Sequence, residues 1–278
     1  MVQYRRPRDV GEALQVLADA NGSGRVLVGG TDLLVGVRRR PLEPLVLVDI
    51  KAAVDLPPAI EVTSEAMRFG PTATMSSIGA DARAIEWFPA LAASSRVVGS
   101  VAIRNRATLI GNICNASPAA DTAPALLVYG ASVTIAGPAG ERTMPLSAFF
   151  LGPGSTACGP DELVVRVDVP IPSRGHRSAF ERLTRRRGVD LATVNAAAGV
   201  STDGVVTLGL GAVGPTPLVS GPSSPIDVSS PPAVADVVEQ LITVATPISD
   251  VRAGEPYRRA MTAVLARRAI QRAVEVAS

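Results

Sequence analysis

VLVGGTDLL, running from Val26 to Leu34, decides how the first part of this chain folds. Val26, Leu27 and Val28 read as a short buried strand. Gly29-Gly30 breaks it, and Thr31-Asp32 can cap a helix carrying Leu33, Leu34 and Val37. Glycine lets a ligand approach the backbone, and the free N–H groups of a first helical turn favour an anion. One exposed charge gains only about 0.3–1 kcal/mol there, so several donors must act together. The stretch is neither GxGxxG nor GxxxxGK[ST]. A tight turn between strand and helix is the plainer reading of these nine residues alone.

Upstream, Asp9 opens a helix with Glu12 three residues on, as in a capping box. Val10, Leu14, Leu17 and Ala18 share its apolar face, and Asn21, Gly22 and Gly24 end it. Downstream, Pro41 and Pro44 punctuate, and Leu45 to Ile50 reads as a second strand. Strand, helix and strand in this order suggest a parallel pair with a right-handed crossover. From about Glu61 the pattern changes to a strand and turn, then a helix and an irregular arginine-bearing segment. Ser132–Ile135 and Leu163–Val169 look like strands. PIPSRGHR (170–177) reads as a domain boundary. Beyond it come a strand (SAFERL), a hairpin turning at Thr202-Asp203-Gly204, a Pro/Ser-rich loop over 214–232 and two closing helices. In the last helix Tyr257, Met261, Val264, Leu265 and Arg268 follow the 3.6-residue period.

A second small-residue turn, TLIGNICNASPAAD, begins at Thr108. Gly111 permits close approach, and Asn112, Asn115 and Ser117 supply amide and hydroxyl groups. Asp121 can cap the following helix or accept hydrogen bonds from a ribose. Ser117-Pro118 also fits plain helix initiation. Physics alone supports a pyrophosphate-sized site between two glycine turns, without naming the ligand.

Composition narrows the rest. The 278 residues suit two or three small domains, and 47% apolar content allows a real core with only 3% aromatics. A net charge of +2 does not suggest nucleic-acid binding. Two cysteines, Cys114 and Cys158, and one histidine, His176, are too few for an iron–sulfur cluster or a structural zinc site in this chain. They also argue against a Ser-His-Asp set. The low cysteine count, the lack of a signal-like N-terminus and the lack of about 20 uncharged apolar residues in a row predict a soluble cytoplasmic protein with no membrane span. Cys114 reads as a buried thiol and His176 as a solvated linker residue. Arg38–Arg40 and Arg185–Arg187 read as solvated faces, the second run also as a possible partner contact.

The pair VLVGGTDL and RNRATLIGNICNASPAAD resembles the FAD-binding subunit of the molybdenum hydroxylases, the family of xanthine dehydrogenase and carbon monoxide dehydrogenase. The likeness continues in order through FERLTRRRGVDLATVNAAAGV, GAVGPTP and ISDVRAGEPYRR. It implies an α+β fold. Residues 1–172 would form a two-lobed FAD-binding domain of the vanillyl-alcohol-oxidase (PCMH) type, with lobes of about 1–56 and 57–172. Residues 173–278 would form a small C-terminal domain with an antiparallel sheet and helices. Val28, Gly29, Gly30, Thr31, Asp32 and Leu33 match the first pyrophosphate loop. Thr108, Ile110, Gly111, Asn112, Asn115, Ser117 and Asp121 match the second, with Asp121 near the ribose. A segment near Val164 and a basic residue after the boundary contact the flavin in this family.

Two departures stand out. The family usually has Gly-Gly-Asn where this chain has Ile110-Gly111-Asn112, which predicts a displaced loop or weaker binding. The basic residue is commonly lysine, and Arg182 takes that place with a planar fork instead of a point charge. Neither loop contains histidine, so the implied FAD is non-covalent. The implied role is electron transfer within a dimer of heterotrimers. A large subunit would hold the molybdenum cofactor, and a small one the 2Fe-2S clusters. FAD would pass electrons to NAD+ or another acceptor. Two alternatives stay open on the residues: a stand-alone FAD oxidoreductase, and a nucleotide-binding or scaffold protein whose flavin site has degenerated.

Overall fold

A computed structural model describes residues 2–39 and 44–275. Pro41 and Arg40, both read above from the sequence, lie outside the described residues. The chain begins with a strand the sequence pattern did not reveal, β1 (Val2–Arg5), whose four residues are all exposed. Helix α1 (Val10–Asp19) follows. Asp9 accepts the Glu12 amide at 2.7 Å as a cap should. The reciprocal half of the capping box is shifted by one residue, because Glu12 takes the amide of Arg8.

The next strand, β2 (Gly24–Leu27), starts two residues before the expected one and releases Val28 into the turn. Helix α2 (Leu33–Arg39) and strand β3 (Leu45–Asp49) complete the unit. β1 and β2 both run parallel to β3, in the order β1-β3-β2. A short 3-10 turn, Ile50–Ala52, leaves this sheet.

A second sheet has the order β4-β5-β10-β6-β7. β4 (Ile60–Val62) and β5 (Ala66–Phe69) form a hairpin where one strand was expected, turned by the Thr63 hydroxyl, which accepts the amides of Glu65 and Ala66. β6 (Ser132–Gly137), β7 (Gly140–Pro145) and β10 (Leu163–Pro170) are antiparallel neighbours. The small pair β8 (Phe150–Gly152) and β9 (Ser155–Thr156) stands apart.

Seven helices cover this region: α3 (Met75–Ala80), α4 (Ala82–Trp87), α5 (Pro89–Val97), α6 (Val101–Arg104), α7 (Leu109–Cys114), α8 (Thr122–Val128) and α9 (Leu146–Phe149). α8 is buried at every residue and fills the largest core with Phe69, Phe88 and Phe149.

The last part folds as expected: an antiparallel sheet and two helices. β11 (Arg177–Leu183), β12 (Val194–Val200), β13 (Val206–Gly211) and β14 (Leu218–Val219) lie in that order. α10 (Pro231–Thr243) and α11 (Glu255–Glu275) pack on them. The face of α11 differs from the one the period suggested. Tyr257 is exposed, and Arg258 is buried instead, donating to the carbonyls of Thr193 and Ala212 and to Asp250 at 2.6 Å. Carbonyl partners from distant loops let a charged residue sit where a hydrophobic pattern would not put it.

No described helix is long and apolar enough to cross a membrane.

Candidate functional site

The two small-residue turns meet. An added Cβ at Gly29 would lie 2.2 Å from the carbonyl oxygen of Arg106 and 3.2 Å from Cα of Ala107. Gly29 is therefore required for the contact of one turn with the other. Gly30 adopts φ +71°, a conformation that favours glycine. The second turn is stitched from below: Ala107 accepts the Met75 amide, and Leu109 donates to Ala73.

Between the turns opens a cavity of about 890 Å³. Pockets for small molecules and cofactors run from roughly 300 to 1,000 Å³. Every residue matched to a flavin contact lines it, except Arg182. Among the described residues, the amides of Gly29, Gly30, Thr31, Asp32 and Leu33 donate to no carbonyl or side chain of the protein. Five consecutive unpartnered donors beside a cleft are the chemistry an anionic bridge needs. Asp32 stands exposed at the rim, yet the surrounding protein mass desolvates it enough to raise its carboxyl above the usual range.

The second turn is more helical than its sequence suggested. Thr108 caps α7 by accepting the Gly111 amide at 3.2 Å. Ile110 is 6% exposed, packs into the core and also borders the cleft. The Asn112 side-chain carbonyl accepts the Thr122 hydroxyl at 2.7 Å, which leaves its amide hydrogens for other partners. Ser117 accepts the Ala119 amide in a turn, and the helix starts only at Thr122.

Asp121 caps nothing. Its backbone is already helical and its carboxylate makes no capping bond to α8. The carboxylate instead receives Arg182 at 2.6 Å and Asn195 at 3.0 Å. Burial raises its pKa, opposed by the Arg182 charge and by both hydrogen bonds. Arg182 thus does not line the cavity, and it acts on a residue that does.

Some lining residues had no reading as site residues. Gly154, Thr156 and Cys158 come from a Gly/Pro-rich segment, GPGSTACGP, whose small residues were a usable signal. Asp190 and Leu191 come from the loop after β11 and carried no local signal. Cys114 and Cys158 both face the cavity region. Burial pushes the Cys158 thiol up to about 11 and the Cys114 thiol higher still, and each thiol's neighbours include acidic groups or the other thiol. His176 is not a solvated linker residue. Its ring lies 5.8 Å from that of Tyr129, and its buried Nδ1 has no partner.

A cleft of cofactor size floored by two glycine turns, with Asp190 and Leu191 of the loop after β11 at its wall, has the form of a dinucleotide-binding site. Residues 1–172 match the family model described as FAD binding domain in molybdopterin dehydrogenase, and residues 178–273 match the CO dehydrogenase flavoprotein C-terminal domain. The chain belongs to this family of FAD-binding subunits of molybdenum hydroxylases. It is 30% identical to the carbon monoxide dehydrogenase medium chain of Afipia carboxidovorans, over 97% of this chain and 96% of that one. It is 28% identical to the xanthine dehydrogenase FAD-binding subunit of Escherichia coli O157:H7, over 99% and 96%. Among solved structures, a carbon monoxide dehydrogenase from Hydrogenophaga pseudoflava superposes with a TM-score of 0.91 at 26% identity, covering 99% of this chain and 97% of that chain. Quinoline 2-oxidoreductase from Pseudomonas putida 86 gives 0.88 at 29% identity, covering 100% and 98%.

Proposed function

We propose that this chain relays electrons through FAD within a three-subunit molybdenum hydroxylase of the cytoplasm. Its partners are a large subunit holding the molybdenum cofactor and a small subunit holding 2Fe-2S clusters, paired as a dimer of heterotrimers. Electrons arrive from the clusters and leave for NAD+ or another acceptor. The reading rests above all on the backbone contact between Gly29 and Arg106, which joins two distant turns around one cleft of cofactor size.

Bound FAD supplies one- and two-electron chemistry that no side chain here offers. The chain's own residues bind and orient. Residues 1–172, in lobes of about 1–56 and 57–172, carry the cleft, and 173–278 cover one side of it. The unpartnered amides of Gly29 to Leu33 hold the diphosphate from the first turn. Thr108, Gly111, Asn112, Asn115 and Ser117 border it from the second. Val28, Ile110 and Val164 give the cleft apolar walls that limit water. Asp121 accepts from ribose hydroxyls.

The purified chain, incubated with excess FAD and desalted, is expected to keep flavin absorption bands. Coexpression with its partners is expected to yield one complex with iron–sulfur and molybdenum signals. Colourless protein after incubation would overturn the cofactor reading. Reduction of the bound flavin by a small organic substrate, with this chain alone, would make it a stand-alone oxidoreductase. Reoxidation of the reduced complex by NAD+, quinone or oxygen identifies the acceptor.

A further inference from the structure

We propose that Arg182 is a positioning residue that reaches from the C-terminal sheet and holds the Asp121 carboxylate aimed into the FAD cleft. The proposal rests on the FAD reading above and deepens it.

Asp121 lines the cleft and is 7% exposed. Both of its partners come from the third sheet. Arg182 on β11 and Asn195 on β12 stand directly opposite each other in the antiparallel register. They therefore project from one face of the sheet as a pair. Arg182 Nη1 donates to one carboxylate oxygen of Asp121, and Asn195 Nδ2 donates to the other. Two further bonds fix the pair. Arg182 Nη1 also donates to the carbonyl of Val97, at the end of α5, at 3.0 Å. Asn195 Nδ2 also donates to the carbonyl of Ala120 at 3.3 Å.

The next strand leaves room for this arrangement. Gly211 on β13 is the register partner of Asn195, and a Cβ there would lie 2.1 Å from Asn195 Oδ1. The row Arg182, Asn195, Gly211 thus reads as a fork, a strut and a gap across three strands.

A buried ion pair is a poor source of stability, because desolvation offsets much of its attraction. It is an effective way to keep a charge at a set place. Each Asp121 oxygen has received one donor and keeps a lone pair for a hydroxyl of the cofactor. Among the described residues, Arg182 is the charged group that contacts Asp121. The other elements packed there present Asn195 and backbone carbonyls. Without Arg182, a buried carboxyl is left with one neutral donor, and the neutral acid is favoured at ordinary pH.

FAD titration of the wild-type chain and three variants, across about pH 6 to about pH 9, tests the proposal. Arg182→Met is expected to weaken FAD binding by about 10- to 100-fold near neutrality, since an opposite charge at this range moves a carboxyl by about 1–3 pH units. The deficit is expected to shrink as pH rises and Asp121 ionises again. Arg182→Lys keeps the charge and is expected to recover most of the affinity. Asp121→Asn is expected to bind weakly with a flat pH profile. Adding Arg182→Met to Asp121→Asn is expected to cost little more, because the two residues act as a unit. A pH-independent loss in Arg182→Met, or additive losses in the double variant, overturns the positioning role while FAD binding by the wild type stands. No FAD binding by the wild type overturns the proposed function, and this role with it.

Discussion

Gly29→Ala probes the joint on which the cleft depends. The new methyl carbon would lie 2.2 Å from the Arg106 oxygen and 2.9 Å from the Arg106 carbonyl carbon. Ordinary contact begins near 3.4 Å, so the turns must part by about 1 Å. The obstructing atoms are backbone and cannot swing aside as a side chain would. Overpacking usually costs about 1–3 kcal/mol, and a clash with backbone belongs at the upper end. At about 2–4 °C per kcal/mol for a region of this size, the apo chain is expected to melt about 6–12 °C lower. A second readout separates this joint from general damage. FAD at 100 times its Kd stabilises the wild type by about 2.7 kcal/mol, and the variant is expected to lose that gain as the turns separate. Calorimetry with and without FAD measures both effects. Gly221→Ala is the control, with nothing within 4 Å of its added Cβ. A Gly29→Ala chain with wild-type melting and wild-type FAD stabilisation would refute the claim that the turns are joined at this atom.

Ile110→Gly restores the residue usual in the family. Since Ile110 is buried in the core, the change is expected to destabilise by about 2–5 kcal/mol without tightening FAD binding, as read by urea unfolding and flavin titration; tighter binding would mean that Ile110 obstructs the cleft. Cys114 and Cys158 are both held protonated by burial, so an aromatic disulfide reagent at mildly alkaline pH is expected to leave them unmodified in the native chain and to modify two thiols in urea. Rapid native labelling would show an opening of the cleft wall. His176 has a folded pKa lowered by burial, below its ordinary value of about 6.5. The native state therefore resists the proton, and its stability should be full above about pH 6.5 and should fall as pH drops through that value toward the folded pKa. Melting temperatures of wild type and His176→Gln across that range check this, and equal slopes would remove His176 as the cause.

Much of this protein is legible from its residue order because the informative signals are local. The cap at Asp9, the hairpin at Thr202-Asp203-Gly204 and the Gly29-Gly30 break depend on neighbours a few residues away. The order of small-residue turns identified the family and brought the two glycine turns of the cleft into view. β1 escaped notice because it is an exposed edge strand, ordered by its ladder with β3 and not by an alternating pattern. Tertiary packing decided the roles that depend on distant partners. Asp121 looks like a helix cap in sequence and is instead a carboxylate gripped from the third sheet, 61 residues away along the chain at Arg182. Gly29 looks like a concession to a ligand and is also the contact point of two loops. Arg258 is buried and His176 half-buried because carbonyls or rings from other elements come to them. Residue order sets which local geometries are cheap, whereas what fills the space around a side chain is settled only when remote segments compete for it.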